Sequence, residues 1–190
     1  AGGGVARPFA RWIRAASRIP RAPPRRAARE RHEVITTAMD DRDGHSSQIA
    51  HQRRSIDIGE EEGRRAVQAA LEVGGSNRHR VSLAIVDDPT LARLHQAFMG
   101  DPTPTDVLSF DLTDDPDRPE GEVVVSAETA RRQAGDLGGD PRAELLLYVV
   151  HGVLHLVGFD DATPEEAASM HRQEDRLLEA LGYGRPYAQG

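Results

Sequence analysis

The stretch Leu145-Leu-Leu-Tyr-Val-Val-His-Gly-Val-Leu-His-Leu-Val157 constrains this chain more than any other. It holds no Asp, Glu or Arg, and a helix that is apolar all round has to be covered all round. It therefore predicts a central helix with the other elements packed about it. Inside it, His151 and His155 lie four residues apart, and a turn of 3.6 residues brings such positions to one face. Two imidazoles so placed are either satisfied core side chains or partners on one metal ion. The residues that follow favour the ion. Gly158 offers a turn that swings the chain back, and two carboxylates, Asp160 and Asp161, come next. His151, His155 and Asp161 are the expected ligands. The spacing His-x3-His-x5-Asp is that of the longer zinc-protease signature. Those proteases place a glutamate general base beside the first histidine, and here that position is Gly152, which disfavours peptide hydrolysis.

Charge is distributed unevenly. Residues 1–38 carry nine Arg against Glu30 and Glu33, a net of +7, whereas residues 39–190 carry 15 Arg against 29 acids, a net of −14. Pro20, Pro23 and Pro24 interrupt any helix in the first of these segments. Residues 1–52 are expected to be a flexible, Arg-rich extension: a basic arm for RNA, a transit peptide, or the product of a mis-called start, with Met39 as the alternative. The domain proper is expected over residues 53–190. With no cysteine, a transition-metal site has to use His and carboxylate, and the composition fits a reducing cytoplasm. No apolar run approaches the length of a membrane span.

Periodicity predicts strands over residues 53–58, 79–86, 106–112 and 121–125, the last two pairing antiparallel. Helices are expected from Glu60 to Val73, from an Asp88 cap to Gly100, from a Ser126 cap to the Gly135–Gly139 break, from an Asp140-Pro141 start to Gly158, and after the capping box Thr163-Pro-Glu-Glu166. The expected fold is α+β, one mainly four-stranded sheet packed with about five helices, with the metal site on a helix and the turn after it.

Several blocks, taken in order, resemble one family, the YbeY endoribonucleases. Residues 151–161 are similar to that family's His-Gly-x-Leu-His-Leu-x-Gly-Tyr-Asp-His, with Phe159 for Tyr and Asp161 for the third His. Pro104-Thr-Asp-Val-Leu-Ser-Phe110, Gly121-Glu-Val-Val-Val125 and Leu181-Gly-Tyr-x-x-Pro-Tyr187 resemble three further family blocks. The resemblance covers residues 53–188. It implies one zinc ion on His151, His155 and Asp161, and single-strand-specific cleavage of RNA in the maturation of small-subunit ribosomal RNA. It also implies a cytoplasmic protein whose partners are RNA and the ribosomal small subunit. Asp161 is compatible with that role, since zinc accepts carboxylate oxygen. Met99 stands where the family carries an arginine, and so removes a fixed contact to phosphate, which implies weakened or lost cleavage. An assembly factor with a structural metal is the competing reading.

Asp160 is the nearest carboxylate for a general base, with a hydrogen-bonding role in the turn as the alternative. Thr105 and Ser109 are lesser candidates for lining the cleft. His95, His171, Glu165, Glu166, Glu174 and Asp175 are expected on solvated helix faces. Arg131, Arg132 and Arg142 offer a local basic rim, which matters because the net charge of residues 39–190 opposes phosphate binding.

Overall fold

The computed structural model describes residues 47–51 (as a strand backbone), 56, 58–76 and 78–187. Most of the expected N-terminal extension, Met39 included, lies outside the described residues. Among the described residues are β1 (Ser47–His51), α1 (Glu60–Val73), β2 (Arg80–Val86), α2 (Asp88–Met99), β3 (Val107–Asp111), β4 (Glu120–Ser126), α3 (Ala127–Leu137), α4 (Pro141–Leu156) and α5 (Pro164–Ala180). The described residues form an α+β arrangement, with five helices on a sheet.

The centre of that sheet is β4, parallel to β2 on one side and antiparallel to β3 on the other. Val123 and Val125 enter the larger core with Val81, Leu83 and Ile85 of β2, under α1, α4 and α5. Val124 points the other way, with Leu108 and Phe110 of β3, towards Leu91, Leu94 and Phe98 of α2. A strand covered on both faces has to be apolar at successive positions, which is what Val123-Val-Val125 provides. The strand expected over residues 53–58 is not found at Ile56 or Ile58, neither of which is in a strand. Alongside β2 lies β1 instead, parallel, with Ser47 opposite Val81 and His51 opposite Ile85.

The helix caps follow the sequence with one correction. Ser126, Asp140 and Thr163 accept from the backbone N–H of Thr129, Arg142 and Glu166, and the capping box at Thr163 is complete. The cap of α2, however, is Asp87, whose side chain accepts from Thr90 N–H. Asp88 is thereby free to bond across the tertiary structure. It accepts from the Ser126 and Thr129 hydroxyls and pairs with Arg132 at 2.8 Å, tying α2 to α3.

Helix α4 is buried at every position from Glu144 to His155, as its composition requires. Two glycines let it approach the sheet. A Cβ on Gly152 would stand 2.6 Å from Val123 Cγ1 and 3.0 Å from Val107 Cγ2, and one on Gly121 of β4 would stand 2.6 Å from Leu156 Cδ1. Ser109 of β3 completes the seam by donating its hydroxyl to the Gly152 carbonyl at 2.9 Å. The histidine face of α4 is thus held at a fixed height over β3 and β4.

Candidate metal centre

The C-terminal end of α4 is built by a local motif. Gly158, at φ +96°, leaves the helix in a conformation suited to glycine; its N–H bonds the His155 carbonyl and that of Phe159 bonds the Leu154 carbonyl. This is a Schellman closure, and Phe159 packs its ring on the core as such closures favour. The reversal carries the Phe159 carbonyl back over His155 and then presents Asp160 and Asp161. Asp160 Oδ1 accepts from Asp161 N–H at 2.8 Å, which fixes the turn. Asp161 Oδ1 comes to 3.8 Å from His155 Nε2.

Both imidazoles are oriented from behind. The Phe159 carbonyl, 3.0 Å from His155 Nδ1, can only accept, so Nδ1 carries the proton and Nε2 presents its lone pair. His151 Nδ1 lies 2.7 Å from Glu174 Oε1, a carboxylate acceptor, and the same assignment follows. The two Nε2 atoms meet at 3.0 Å, with the rings edge to face. Two lone pairs directed at each other repel unless something positive lies between them, either a proton or a metal ion. Nitrogens on a tetrahedral ion with bonds of about 2.0–2.1 Å sit roughly 3.3 Å apart. One ligand atom each from His151, His155 and Asp161 lies within 4.8 Å of the others. The donor set and its spacing fit a divalent ion.

The protonation of the pair gives this fit a pH dependence. Burial lowers the His155 pKa, and the neighbouring His151 lowers it further, to about 4. Burial also works against charge on His151, but the Glu174 carboxylate, with Asp106 and Asp161, outweighs it and raises that pKa. The ion-free pair therefore holds one proton at the ordinary histidine value of 6.5, and a metal has to displace it. Below 6.5 the unfolded chain protonates His155 while the folded chain resists until about 4, so stability falls with falling pH there, by up to about 1.4 kcal/mol per unit. His151 acts in the opposite sense. Its contribution is complete below 6.5 and is lost as pH rises through its raised value. Chelator-treated protein is expected to show a stability maximum near that pH in urea titrations, and a monotonic rise from pH 4 to 9 would contradict this arrangement.

Other residues expected at the site have different surroundings. Thr105 donates to the Val107 carbonyl at 3.2 Å, and Ser109 is engaged with Gly152, so both hydroxyls serve the β3 seam. Glu174 is fully buried, not solvated, and belongs to the centre. His95 is buried too, at 1% exposure, with Nδ1 at 2.7 Å from the Thr103 carbonyl, where it ties α2 to the following loop. His171 is half-buried and stacks flat on Tyr187, with ring centroids 3.9 Å apart. Arg132 is committed to Asp88, leaving Arg131 as the more available of that pair. Met99 ends α2, partly exposed.

Fold and site together define an α+β domain organised round a candidate mononuclear metal centre. The chain belongs to the YbeY endoribonuclease family: the family model described as Endoribonuclease YbeY matches residues 48–182. A protein of Rhodopirellula baltica named Endoribonuclease YbeY is 43% identical over 123 residues, 64% of this chain and 63% of that one, so the match spans less than two-thirds of the relative. A Moorella thermoacetica protein of the same name is 36% identical over 152 residues, 72% of this chain and 97% of that one. The solution structure of a Thermotoga maritima protein, 23% identical, shares the fold with a TM-score of 0.50 over 72% of this chain and 88% of its own.

Proposed function

We propose that this protein is a metal-dependent endoribonuclease that cleaves single-stranded RNA in the maturation of small-subunit ribosomal RNA, in the cytoplasm. The observation that carries this reading is the convergence of His151 Nε2, His155 Nε2 and the Asp161 carboxylate within 4.8 Å in a chain of an endoribonuclease family. Zinc is the proposed ion, since two imidazoles and one carboxylate are a donor set it accepts. When bound, a divalent ion lowers the pKa of water and withdraws charge from a phosphate. The chain's own part is to hold the ion, to keep both Nδ1 protons turned away from it, and to place Asp160 beside the third ligand as candidate general base. Asp160 Oδ1 already serves Asp161 N–H, so a proton would go to its other oxygen. No described helix is long and apolar enough to cross a membrane, in keeping with the proposed location. The folded domain of this proposal, expected over 53–190, would also include the β1 strand, and the sheet would then count four strands.

The decisive assay compares chelator-stripped and zinc-reloaded protein on single-stranded and duplex ribosomal RNA. Cleavage of the single strand by the reloaded protein alone is expected; cleavage that survives stripping would remove the metal from the reaction. Met99→Arg belongs in the same assay. A guanidinium at the end of α2 restores a charge-assisted phosphate contact, and the expected gain in cleavage is about tenfold or more, equivalent to about 1.4 kcal/mol or more. An unchanged rate would place the end of α2 outside the RNA path.

A further inference from the structure

Helix α5 brings to the centre a carboxylate whose environment is unusual for its residue type. Glu174 is 0% exposed, and on its own helix it is flanked by the buried Met170, Leu177 and Leu178, at positions −4, +3 and +4. Oε1 takes the His151 Nδ1 proton at 2.7 Å. Oε2 is buried with no hydrogen-bond partner among the described residues. Burying a carboxylate with one oxygen unserved is unfavourable unless its charge is used. A glutamine would make the same bond to His151, and an apolar side chain would suit the neighbouring residues better. The feature of Glu174 that neither replacement supplies is its negative charge, set directly behind one imidazole. Its counterpart behind His155 is the neutral Phe159 carbonyl.

Resting on the metal reading above, we propose that Glu174 is a positioning residue of the centre. It locks His151 in the Nδ1–H tautomer, aims Nε2 at the ion, and offsets a dication's charge through the imidazole, as the carboxylates behind metal-bound histidines do. A contrasting role is that of a staple that only pins α5 to α4. The two differ in what they predict. A staple affects folding and leaves affinity for the ion alone; a positioning residue affects affinity even where the fold is kept.

The test uses the full chain stripped of metal and titrated with zinc sulfate against a competing chelator, for wild type, Glu174→Gln, Glu174→Ala and Asp161→Ala. Thermal unfolding of each ion-free protein is recorded alongside, and long-range 15N–1H spectra of the wild type report the His151 tautomer. Glu174→Gln, which keeps the hydrogen bond and loses the charge, is expected to weaken zinc binding roughly 10- to 100-fold while unfolding cooperatively. Glu174→Ala is expected to lose at least as much. The wild-type His151 is expected to carry its proton on Nδ1. Unchanged affinity in both Glu174 variants, with a loss in Asp161→Ala, overturns this proposal and leaves the metal reading standing. A proton on His151 Nε2 in the zinc-loaded wild type overturns it without recourse to any variant. Absence of zinc binding by the wild type overturns both.

Discussion

His151→Ala, His155→Ala and Asp161→Ala are each expected to lose the ion on dialysis against a mild chelator, and RNA cleavage with it. Zinc held by a full protein ligand set is worth on the order of 10–16 kcal/mol near neutral pH. Divided among the four ligands of such a set, the loss of one costs roughly 2.5–4 kcal/mol, a weakening of about 10²- to 10³-fold. His155 Nε2 sits between His151 Nε2 at 3.0 Å and Asp161 Oδ1 at 3.8 Å, so its removal takes out the middle of the donor set and has the largest effect. His171→Ala is the control. That ring stacks on Tyr187, so the variant is expected to retain stoichiometric metal. Metal content by mass spectrometry after dialysis decides the matter. Full occupancy in Asp161→Ala would mean that the third ligand has been misassigned.

The second large effect is at Gly152. Its absent side chain allows α4 to rest on Val123, Val107 and Ser109, and a Cβ there would come within 2.6 Å of Val123 Cγ1 and 2.9 Å of Ser109 Oγ. Alanine would gain about 1 kcal/mol from helix propensity and lose more to overpacking, about 1–3 kcal/mol. Gly152→Ala is therefore expected to lower stability modestly and to displace the histidine face. Gly152→Glu, which would recreate the zinc-protease sequence, forces a longer, charged side chain into the same seam. Without a partner for its carboxylate it is expected to leave little folded protein, the burial cost adding several kcal/mol. Trimming the neighbour relieves part of the clash, so Gly152→Ala with Val123→Ala should be more stable than the sum of the single effects. Strict additivity in urea unfolding would show that the seam has slack. The same geometry leaves no room for the general base that the zinc proteases carry at this position, since position 152 faces the sheet.

Much of this protein was determined by sequence neighbours alone. The uninterrupted apolarity of α4 specified burial on all sides, and the i, i+4 spacing placed His151 and His155 together without help from the rest of the chain. The closure at Gly158 is local too, since a positive φ, two carbonyls of the last turn and the following Phe159 lie within six residues. The caps at Ser126, Asp140 and Thr163 follow for the same reason: a side chain and an N–H two or three residues on are enough.

Tertiary packing decided the rest. Glu174 stands 23 residues from His151 in the chain, on a helix rich in Arg and Glu, and its sequence surroundings match those of a solvated acid. Only the docking of α5 on α4 turns it inward. The orientation of His95 depends on a carbonyl eight residues away, and that of Ser109 on one 43 residues away. Adjacent Asp87 and Asp88 are equivalent as caps by local chemistry, and the choice fell to Asp87 because Asp88 has three partners on Ser126 and α3. The strand beside β2 is Ser47–His51, upstream of the stretch whose alternation suggested one, because pairing is settled by register against Val81–Ile85, which no local pattern records. Helices, caps and turns are short-range and cooperative over a few residues, so the sequence determined them and, with them, the two histidines and their turn. The groups that orient those histidines come from distant chain, and their places were settled when the core closed.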